Sequence, residues 1–214
     1  METVAITPEL EAYLEGVLEP RDAVLAALER EAEAEGVPIV GPQVGTLLYL
    51  LVSLQRPRRM LELGTATGYS AIWLARGAAD AALVTIERDR RRAERARRAF
   101  ADAQLERQVE LVEADAIDFL EAEGEPFDLT FNDLLNSFPD ERAVEHAFEL
   151  SLARLRPGGL LLADNALRRG EVLRPASQGS RNVVRYNELI AREPRLRGMI
   201  VPVRDGVSVA RLEP

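Results

Sequence analysis

Short apolar runs and longer amphipathic stretches alternate along this chain. An apolar run of four to six residues predicts a buried strand, whereas apolar residues three or four positions apart predict a helix that packs one face against the core. Before the first run, the chain is helical in character for about 50 residues. The predicted strands are residues 60–63, 82–87, 108–112, 126–131 and 160–163, followed by 199–203 and 207–212, which flank the turn Arg204-Asp205-Gly206.

The helix predictions rest on apolar spacing and on end signals. Thr7-Pro8 offers a hydroxyl cap with proline at the first helical position, and Gly36 offers a C-terminal cap. Arg168 to Arg181 is polar and contains glycine, so we expect a loop there. The predicted helices are a first one from Thr7 that Pro20 breaks, then 22–35, 43–55, 69–75, 89–100, a short one up to 121, 139–154 and 182–192.

Strands and helices alternate five times before the terminal pair of strands. Alternation of this kind predicts an α/β fold with a doubly wound, mostly parallel sheet, and the terminal pair predicts an antiparallel hairpin. We therefore expect a seven-stranded sheet with extra N-terminal helices, in a single domain over residues 1–214. Residues 56–214 would form the core, and residues 1–55 a lid over the ligand edge or a dimer surface.

Composition excludes several classes of function. The 214 residues include no cysteine, and all 27 basic residues are arginine, so cysteine nucleophiles, Schiff-base lysines and a P-loop lysine are excluded. A net charge of −9 disfavours nucleic acid as the partner. No apolar run is long enough for a membrane span, and Met1-Glu-Thr-Val-Ala lacks the basic start of a signal peptide. A cytoplasmic protein is expected.

The first strand leads into a glycine turn, Glu62-Leu-Gly-Thr-Ala-Thr-Gly68, and then into a helix. Strand, glycine turn and helix begin a βαβ unit, which binds ligands at the carboxyl ends of its strands. The spacing differs from the G-x-G-x-x-G pattern that places a pyrophosphate on a helix N-terminus. A carboxylate two residues before Gly64 suits a cationic ligand better, and S-adenosylmethionine carries an ammonium and a sulfonium. The alternative is an ordinary strand-to-helix turn.

A carboxylate stands at the end of each of the five predicted parallel strands, at Glu62, Glu87, Asp115, Asp133 and Asp164. These ends share one edge of the sheet. Glu87 lies where a ribose would be bound, although this would fit a nicotinamide cofactor equally, and Asp115-Ala116 lies where an adenine amine would be. Asp133, Asp164 and Asn165 offer only oxygen ligands, which suit Mg²⁺, Ca²⁺ or Mn²⁺. The alternative is that Asp164-Asn165 only begins a turn.

Several motifs occur together in order: Leu61 to Ala71, Val84-Thr-Ile-Glu87, Glu113-Ala-Asp-Ala116, Phe127 to Asp133, Leu155-Arg-Pro-Gly-Gly159 and Ala163-Asp-Asn165. Together they resemble the metal-dependent small-molecule O-methyltransferases of the catechol and caffeoyl-CoA type, which are Rossmann-like S-adenosylmethionine-dependent enzymes. The resemblance implies methyl transfer to a small, catechol-like or phenolic acceptor, a divalent cation on Asp133, Asp164 and Asn165, and a homodimer. It implies a cofactor site formed by Glu62, Gly64, Thr65, Gly68, Tyr69, Ser70, Glu87, Arg88, Asp115, Ala116 and Asp133.

The sequence departs from that family at its general base. Where the family has Asp-x-x-Lys, this chain has Asp133-Leu-Leu-Asn136. Asn136 therefore shares the catalytic motif with Asp133 and stands at the position of the lysine, but its side chain has no basic atom. Arg168 or Arg169 could stabilise an oxyanion, while the only histidine, His146, lies within a predicted helix and is expected to be structural. Altered or metal-independent methyl transfer, or a largely non-catalytic cofactor-binding dimer, are the alternatives.

Overall fold

A computed structural model describes residues 5–214. The expectation of no signal peptide rests on the segment Met1-Glu-Thr-Val, which lies outside the described residues. Three helices precede the first strand: α1 (Pro8–Gly16), α2 (Ala23–Glu35) and α3 (Gly41–Gln55). The starts of α1 and α2 and the end of α2 follow the predictions, because Thr7 and Asp22 cap α1 and α2 through their side chains and Gly36 ends α2 in a left-handed conformation. Helix α1 ends at Gly16, before the break predicted at Pro20, and α3 begins two residues earlier than predicted.

The remaining chain alternates between strands and helices before a final pair of strands. In order, the elements are β1 (Arg59–Leu63), α4 (Tyr69–Gly77), β2 (Ala82–Glu87), α5 (Arg90–Asp102), β3 (Val109–Glu113), α6 (Ala116–Glu121), β4 (Phe127–Asn132), α7 (Glu141–Ala153), β5 (Leu155–Ala163), a 3₁₀ helix (Arg168–Leu173), α8 (Gln178–Arg192), β6 (Leu196–Val201) and β7 (Val207–Leu212).

All seven strands form one sheet in the order β3-β2-β1-β4-β5-β7-β6. Strands β1 to β5 pair in parallel, while β7 pairs antiparallel with both β5 and β6. This confirms the predicted fold class, including the C-terminal hairpin. An apolar cluster covers each face of the sheet. Successive residues of a strand point to opposite faces, so Met60 belongs to one cluster and Leu61 to the other.

Two predictions on the last third of the chain were wrong. Arg156-Pro-Gly-Gly159 is part of β5 rather than a turn before it, and the pairing of β5 with β4 shifts register there. The predicted loop from Arg168 to Arg181 instead contains the 3₁₀ helix and the start of α8. Helix α8 begins at Gln178 because Ser177 and Ser180 cap each other's main chain, a Ser-x-x-Ser version of the capping box.

The helices among the described residues are too short or too polar to cross a membrane. Helix α3 packs against α4, where Trp73 lies directly over Gly45. Any side chain at Gly45 would overlap the indole ring, since a Cβ there would lie 2.3 Å from its nitrogen. This contact fixes the N-terminal helices on the sheet, close to the edge where β1 and β4 end.

Candidate active site

A cleft runs along the carboxyl edge of the sheet, at the point where the strand order changes direction. Strand β1 lies between β2 and β4, so the helices that follow β1 and β4 leave opposite faces of the sheet and open a crevice between them. Two adjoining cavities of about 390 Å³ each occupy this crevice, and both are lined by Gly64, Glu87, Arg92, Leu134 and Ser137. The two cavities are therefore parts of one continuous cleft.

The glycine turn after β1 forms the floor of this cleft. Gly64 and Gly68 have φ angles of +97° and +91°, which favour glycine, and a Cβ on Gly68 would lie 2.7 Å from the Phe100 ring. Ala66, midway between these two glycines, also adopts a left-handed φ of 47°. Its main-chain N–H donates a 2.9 Å hydrogen bond to Glu87 Oε2, so the strand-end carboxylate holds the turn in place.

Glu62 lies beneath this floor and is fully buried. Its Oε2 accepts a hydrogen bond from Thr85, whose hydroxyl also lies 2.6 Å from that of Thr65, while Glu62 Oε1 has no partner. Burial raises the pKa of Glu62 from 4.5 to about 7, although the nearby Ser70 hydroxyl and the hydrogen bond from Thr85 favour its charged form. An unpartnered buried carboxylate oxygen at this point is suited to a cationic group bound above it.

The other end of the cleft is more apolar and combines Glu87 with Asp115. Glu87 Oε1 accepts from the Asp89 main chain, and Asp115 caps α6 by accepting from the Ile117 main chain. Arg88 is exposed and lies 3.7 Å from the Asp115 carboxylate. This end is walled by the side chains of Ile86, Ala116, Ile117, Phe138 and Pro139. A flat apolar ring with polar edges would fit between these walls.

The three predicted metal ligands come together at the opposite end. Asn132 and Ala163 are register partners on β4 and β5, so Asp133 and Asp164 follow as neighbours on strands about 4.8 Å apart. Burial raises the pKa of Asp133 well above its usual range, and the charges of Asp164 and Glu62 add to the rise. Burial also raises the pKa of Asp164 to about 6, with a contribution from Asp205.

Unsatisfied oxygens remain at this end of the cleft. Asp164 Oδ1 is buried without a hydrogen-bond partner, while its Oδ2 accepts a 3.1 Å hydrogen bond from the Asn165 amide. Asn165 Oδ1 in turn accepts a 2.6 Å hydrogen bond from the Asn136 amide. No cluster of three or more His, Cys, Asp or Glu residues with the geometry of a metal site occurs in residues 5–214. The amide oxygen of Asn165 would have to be the third ligand.

Several residues that line the cleft escaped the sequence analysis. The segment Val37–Val40, which leads into α3, forms an apolar wall, while Arg92 of α5 and Asp205 of the β6–β7 loop add charges. Asp205 Oδ1 accepts a hydrogen bond from the Arg169 main chain, and this contact brings the hairpin to the site. The turn signal at Arg204-Asp205-Gly206 marked this loop, although no sequence signal indicates its position in space.

Some predicted residues have side chains outside the cleft. The Tyr69 hydroxyl donates a 2.7 Å hydrogen bond to Glu29 of α2, and its ring packs edge-on against Trp73. The Tyr69 side chain therefore packs outside the cleft, because α2 supplies a partner for its buried hydroxyl. Thr65 and Ser70 are buried below the floor. His146 lies on α7 and contacts Glu121, away from the cleft.

Comparison with known proteins identifies the family. A family model described as O-methyltransferase matches residues 20–212. The chain belongs to the O-methyltransferase family. This confirms the S-adenosylmethionine-dependent family that the motifs indicated. A catechol O-methyltransferase from Niastella koreensis is 39% identical over 181 residues, which cover 79% of this chain and 78% of that protein. One from Mycobacterium tuberculosis is 35% identical over 170 residues, 78% and 75% of the two chains.

Solved structures of other O-methyltransferases share the fold. One from Bacillus cereus in complex with S-adenosylhomocysteine has a TM-score of 0.83 and 33% identity, and the match covers 96% of this chain and 97% of that one. Another, from Streptomyces achromogenes in complex with S-adenosylmethionine, has a TM-score of 0.81 and 30% identity, with 96% of each chain covered. These matches span the sheet and the helices on both of its faces.

Proposed function

We propose that this O-methyltransferase transfers the methyl group of S-adenosylmethionine to a hydroxyl of a small catechol-like or phenolic molecule, with the help of a divalent cation. One observation carries the proposal: the buried carboxylate of Asp164, whose Oδ1 has no hydrogen-bond partner, lies next to the half-buried carboxylate of Asp133 and beside the Asn165 amide at the end of a long cleft. The relatives named as catechol O-methyltransferases support the same class of acceptor.

The chemistry of the cleft lining supports S-adenosylmethionine as the ligand. The apolar end around Ala116 and Phe138 suits adenine, Glu87 is available to accept hydrogen bonds from ribose hydroxyls, and the unpartnered Glu62 oxygen suits the ammonium group. We assign the cofactor to Glu62, Gly64, Thr65, Gly68, Tyr69, Ser70, Glu87, Arg88, Asp115, Ala116 and Asp133. Because their side chains lie below the floor or outside the cleft, Thr65, Tyr69 and Ser70 would act through the main chain or through Glu62, and Gly68 would act through its main chain.

The oxygen ligands at the other end fit a hard divalent cation. The charge of Asp164 raises the pKa of the neighbouring Asp133, and a cation between the two carboxylates would relieve this repulsion; oxygen-only ligands favour Mg²⁺, Ca²⁺ or Mn²⁺. When bound, such an ion would orient two adjacent acceptor oxygens and favour the ionised hydroxyl. The Asn136 amide holds Asn165 Oδ1 in place through their 2.6 Å hydrogen bond, so Asn136 positions a ligand here and does not remove a proton.

The acceptor would lie between this polar end and the apolar wall of Pro38, Ile39 and Val40. An aromatic ring with two adjacent oxygens matches both surfaces. In the transfer, the acceptor oxygen forms a bond to the methyl carbon as the bond from that carbon to sulfur breaks. Alignment of oxygen, carbon and sulfur by the cleft can contribute on the order of 7–11 kcal/mol to lowering the barrier.

The test measures methyl transfer and ion binding separately. Purified protein stripped with a chelator would be incubated with S-adenosylmethionine and either catechol or phenol, and S-adenosylhomocysteine would be quantified with and without added Mg²⁺. We expect turnover of catechol that requires the ion. Manganese binding, followed by electron paramagnetic resonance, should weaken strongly in Asp164→Asn. It should persist in the control Glu113→Gln, which alters a strand-end carboxylate outside the cleft. Ion-independent turnover would remove the cation from the mechanism.

We also propose a homodimer formed through the N-terminal helices, so that residues 1–55 would serve as the dimer segment. Helix α1 has no buried residue, and its Tyr13 and Val17 are 65% and 62% exposed. Leu50 and Leu54 on α3 are 50% and 82% exposed. Exposed apolar residues on two helices that contact each other suit an interaction surface. Light scattering should give twice the mass of the chain, and Leu54→Glu should shift it toward the monomer. A monomeric wild type would contradict the assignment.

A further inference from the structure

Arg168 lines the cleft together with Asn136, which stands where the family pattern has a lysine, and no side chain in the described structure pairs with Arg168. Its side chain lines the same cavity as Asp133, Asn136, Asp164 and Asn165. Arg168 is partly buried, its Nε is buried without a hydrogen-bond partner, and it forms no ion pair within residues 5–214. An arginine with a buried, unpartnered donor inside a cleft is suited to an anion that is bound there.

Arg168 is close to the residue that replaces the family's lysine. A Cβ added to Gly179 would lie 3.5 Å from Arg168 Nε and 3.4 Å from the Asn136 carbonyl oxygen. Gly179, in the first turn of α8, thus lies against both the Arg168 guanidinium and the Asn136 main chain, which places the two residues on the same side of the cleft.

The main chain holds Arg168 in a fixed position. Ala166 N–H and Leu167 N–H each donate a 2.8 Å hydrogen bond to the carbonyls of Gly206 and Asp205, respectively. Arg168 N–H donates to the Asn165 carbonyl at 3.1 Å, and both residues have left-handed φ angles, 60° for Asn165 and 46° for Arg168. Such a conformation costs free energy and persists only where its surroundings impose it, so the turn places Arg168 before any ligand binds.

Charge balance indicates what this arginine would stabilise. The two carboxylates Asp133 and Asp164 are matched by the divalent cation proposed for them, and an acceptor that loses its proton then adds one negative charge. Arg168 differs from the other two arginines that line this cavity, Arg92 and Arg169, because they are exposed whereas Arg168 is partly buried and has an unpartnered Nε. The other charged side chains that face this part of the cleft are Glu87, Arg92, Asp133, Asp164, Arg169 and Asp205.

We propose that Arg168 supplies the fixed positive charge that favours the ionised acceptor hydroxyl, in place of the missing lysine; this rests on the proposed function. The hydroxyl proton goes to solvent, because Arg168 stays protonated and Asn136 has no basic atom. The oxyanion then bonds to the methyl carbon, the carbon–sulfur bond breaks, and neutral S-adenosylhomocysteine leaves. Arg168 neither gains nor loses a proton.

The test follows the ionisation of a bound acceptor directly. The probe is 4-nitrocatechol, whose absorbance changes on ionisation, titrated with pH in the presence of S-adenosylhomocysteine and Mg²⁺. An opposite charge within about 4–6 Å shifts a pKa by about 1–3 units. We therefore expect the pKa of the bound probe to rise by about 1–3 units in Arg168→Met, to stay near the wild-type value in Arg168→Lys, and to fall again when Asn136→Lys is added to Arg168→Met.

The control is Arg174→Met, which removes the same charge from an exposed residue of the following turn and should leave the pKa of the bound probe unchanged. An identical pKa in wild type and Arg168→Met overturns the assignment. Weaker probe binding with an unchanged pKa also overturns it, because Arg168 would then anchor the acceptor without activating it. If wild-type protein neither binds nor methylates the probe, the proposed function itself fails, which is a different result from a failure of Arg168 alone.

Discussion

Replacement of Glu62 by glutamine separates the stability of this protein from its ability to bind the cofactor. Glu62 is fully buried, its Oε1 is unpartnered, and burial raises its pKa from 4.5 to about 7. A pKa displacement of this size corresponds to about 3 kcal/mol, since each tenfold change in proton binding is worth about 1.4 kcal/mol. Without bound cofactor, ionisation of Glu62 therefore destabilises the folded protein by about this amount.

The sign of the pH dependence follows from the raised pKa. Because the folded state binds the proton more tightly than the unfolded state, the stabilising contribution of protonated Glu62 is complete below pH 4.5 and is lost as the pH rises through about 7. Glutamine resembles the protonated form at every pH. Glu62→Gln should thus unfold at nearly the wild-type temperature at pH 5, and at a higher temperature at pH 8, by several degrees for each kcal/mol gained.

Cofactor affinity should change in the opposite direction. If the Glu62 carboxylate receives the ammonium group, its loss removes a hydrogen bond to a charged group, worth about 1.5–3 kcal/mol, or a roughly 10- to 150-fold weaker Kd. The assays are differential scanning calorimetry of the free protein between pH 5 and 8, and isothermal titration with S-adenosylmethionine. A Glu62→Gln protein that is less stable at pH 8 and binds the cofactor as tightly as wild type would refute this reasoning.

Two further substitutions test the turn and its surroundings. Gly68→Ala should lower the free energy of unfolding by about 2–4 kcal/mol, because it combines a left-handed φ with a Cβ 2.7 Å from Phe100. Chemical denaturation measures this loss. The control Gly16→Ala should not destabilise the protein, since a Cβ at Gly16 meets nothing within 4 Å. Tyr69→Phe should lower the free energy of unfolding by about 1 kcal/mol, because the hydrogen bond to Glu29 is lost. The affinity for S-adenosylmethionine, measured by calorimetry, should stay within about twofold of wild type. A large loss of affinity would show that the Tyr69 hydroxyl reaches the cofactor.

Much of the fold could be predicted because its signals are local. The run Ala82–Glu87 was predicted with the bounds that the structure shows, and the caps Thr7, Asp22 and Gly36 mark helix ends by their own chemistry. Strand β5 was predicted too short, since Pro157 and two glycines indicate a turn while the pairing with β4 tolerates a shift of register. Tertiary contacts decided that case.

The candidate site was predictable for a different reason. In a parallel sheet the strand ends share one edge, so residues far apart in sequence, such as Glu87 and Asp133, can be placed together from the strand order alone. The partners of those residues could not be predicted in this way. They depend on how the loops and the N-terminal helices pack, as shown by the Asn136–Asn165 hydrogen bond, the position of Asp205 and the contact of Tyr69 with Glu29.

The cytoplasmic location that we expect from the sequence stays a prediction.

The central claim is that the carboxyl edge of the sheet binds S-adenosylmethionine. Isothermal titration of the cofactor into wild-type protein and Glu87→Ala tests this claim most directly. Glu113→Ala serves as the control, because Glu113 ends the neighbouring strand β3, is exposed, and pairs with Arg97. We predict one site per chain in wild type, unchanged affinity in the control, and a loss of at least about tenfold in Glu87→Ala, as expected for a charged hydrogen-bond acceptor. Equal affinity in all three proteins would contradict the account.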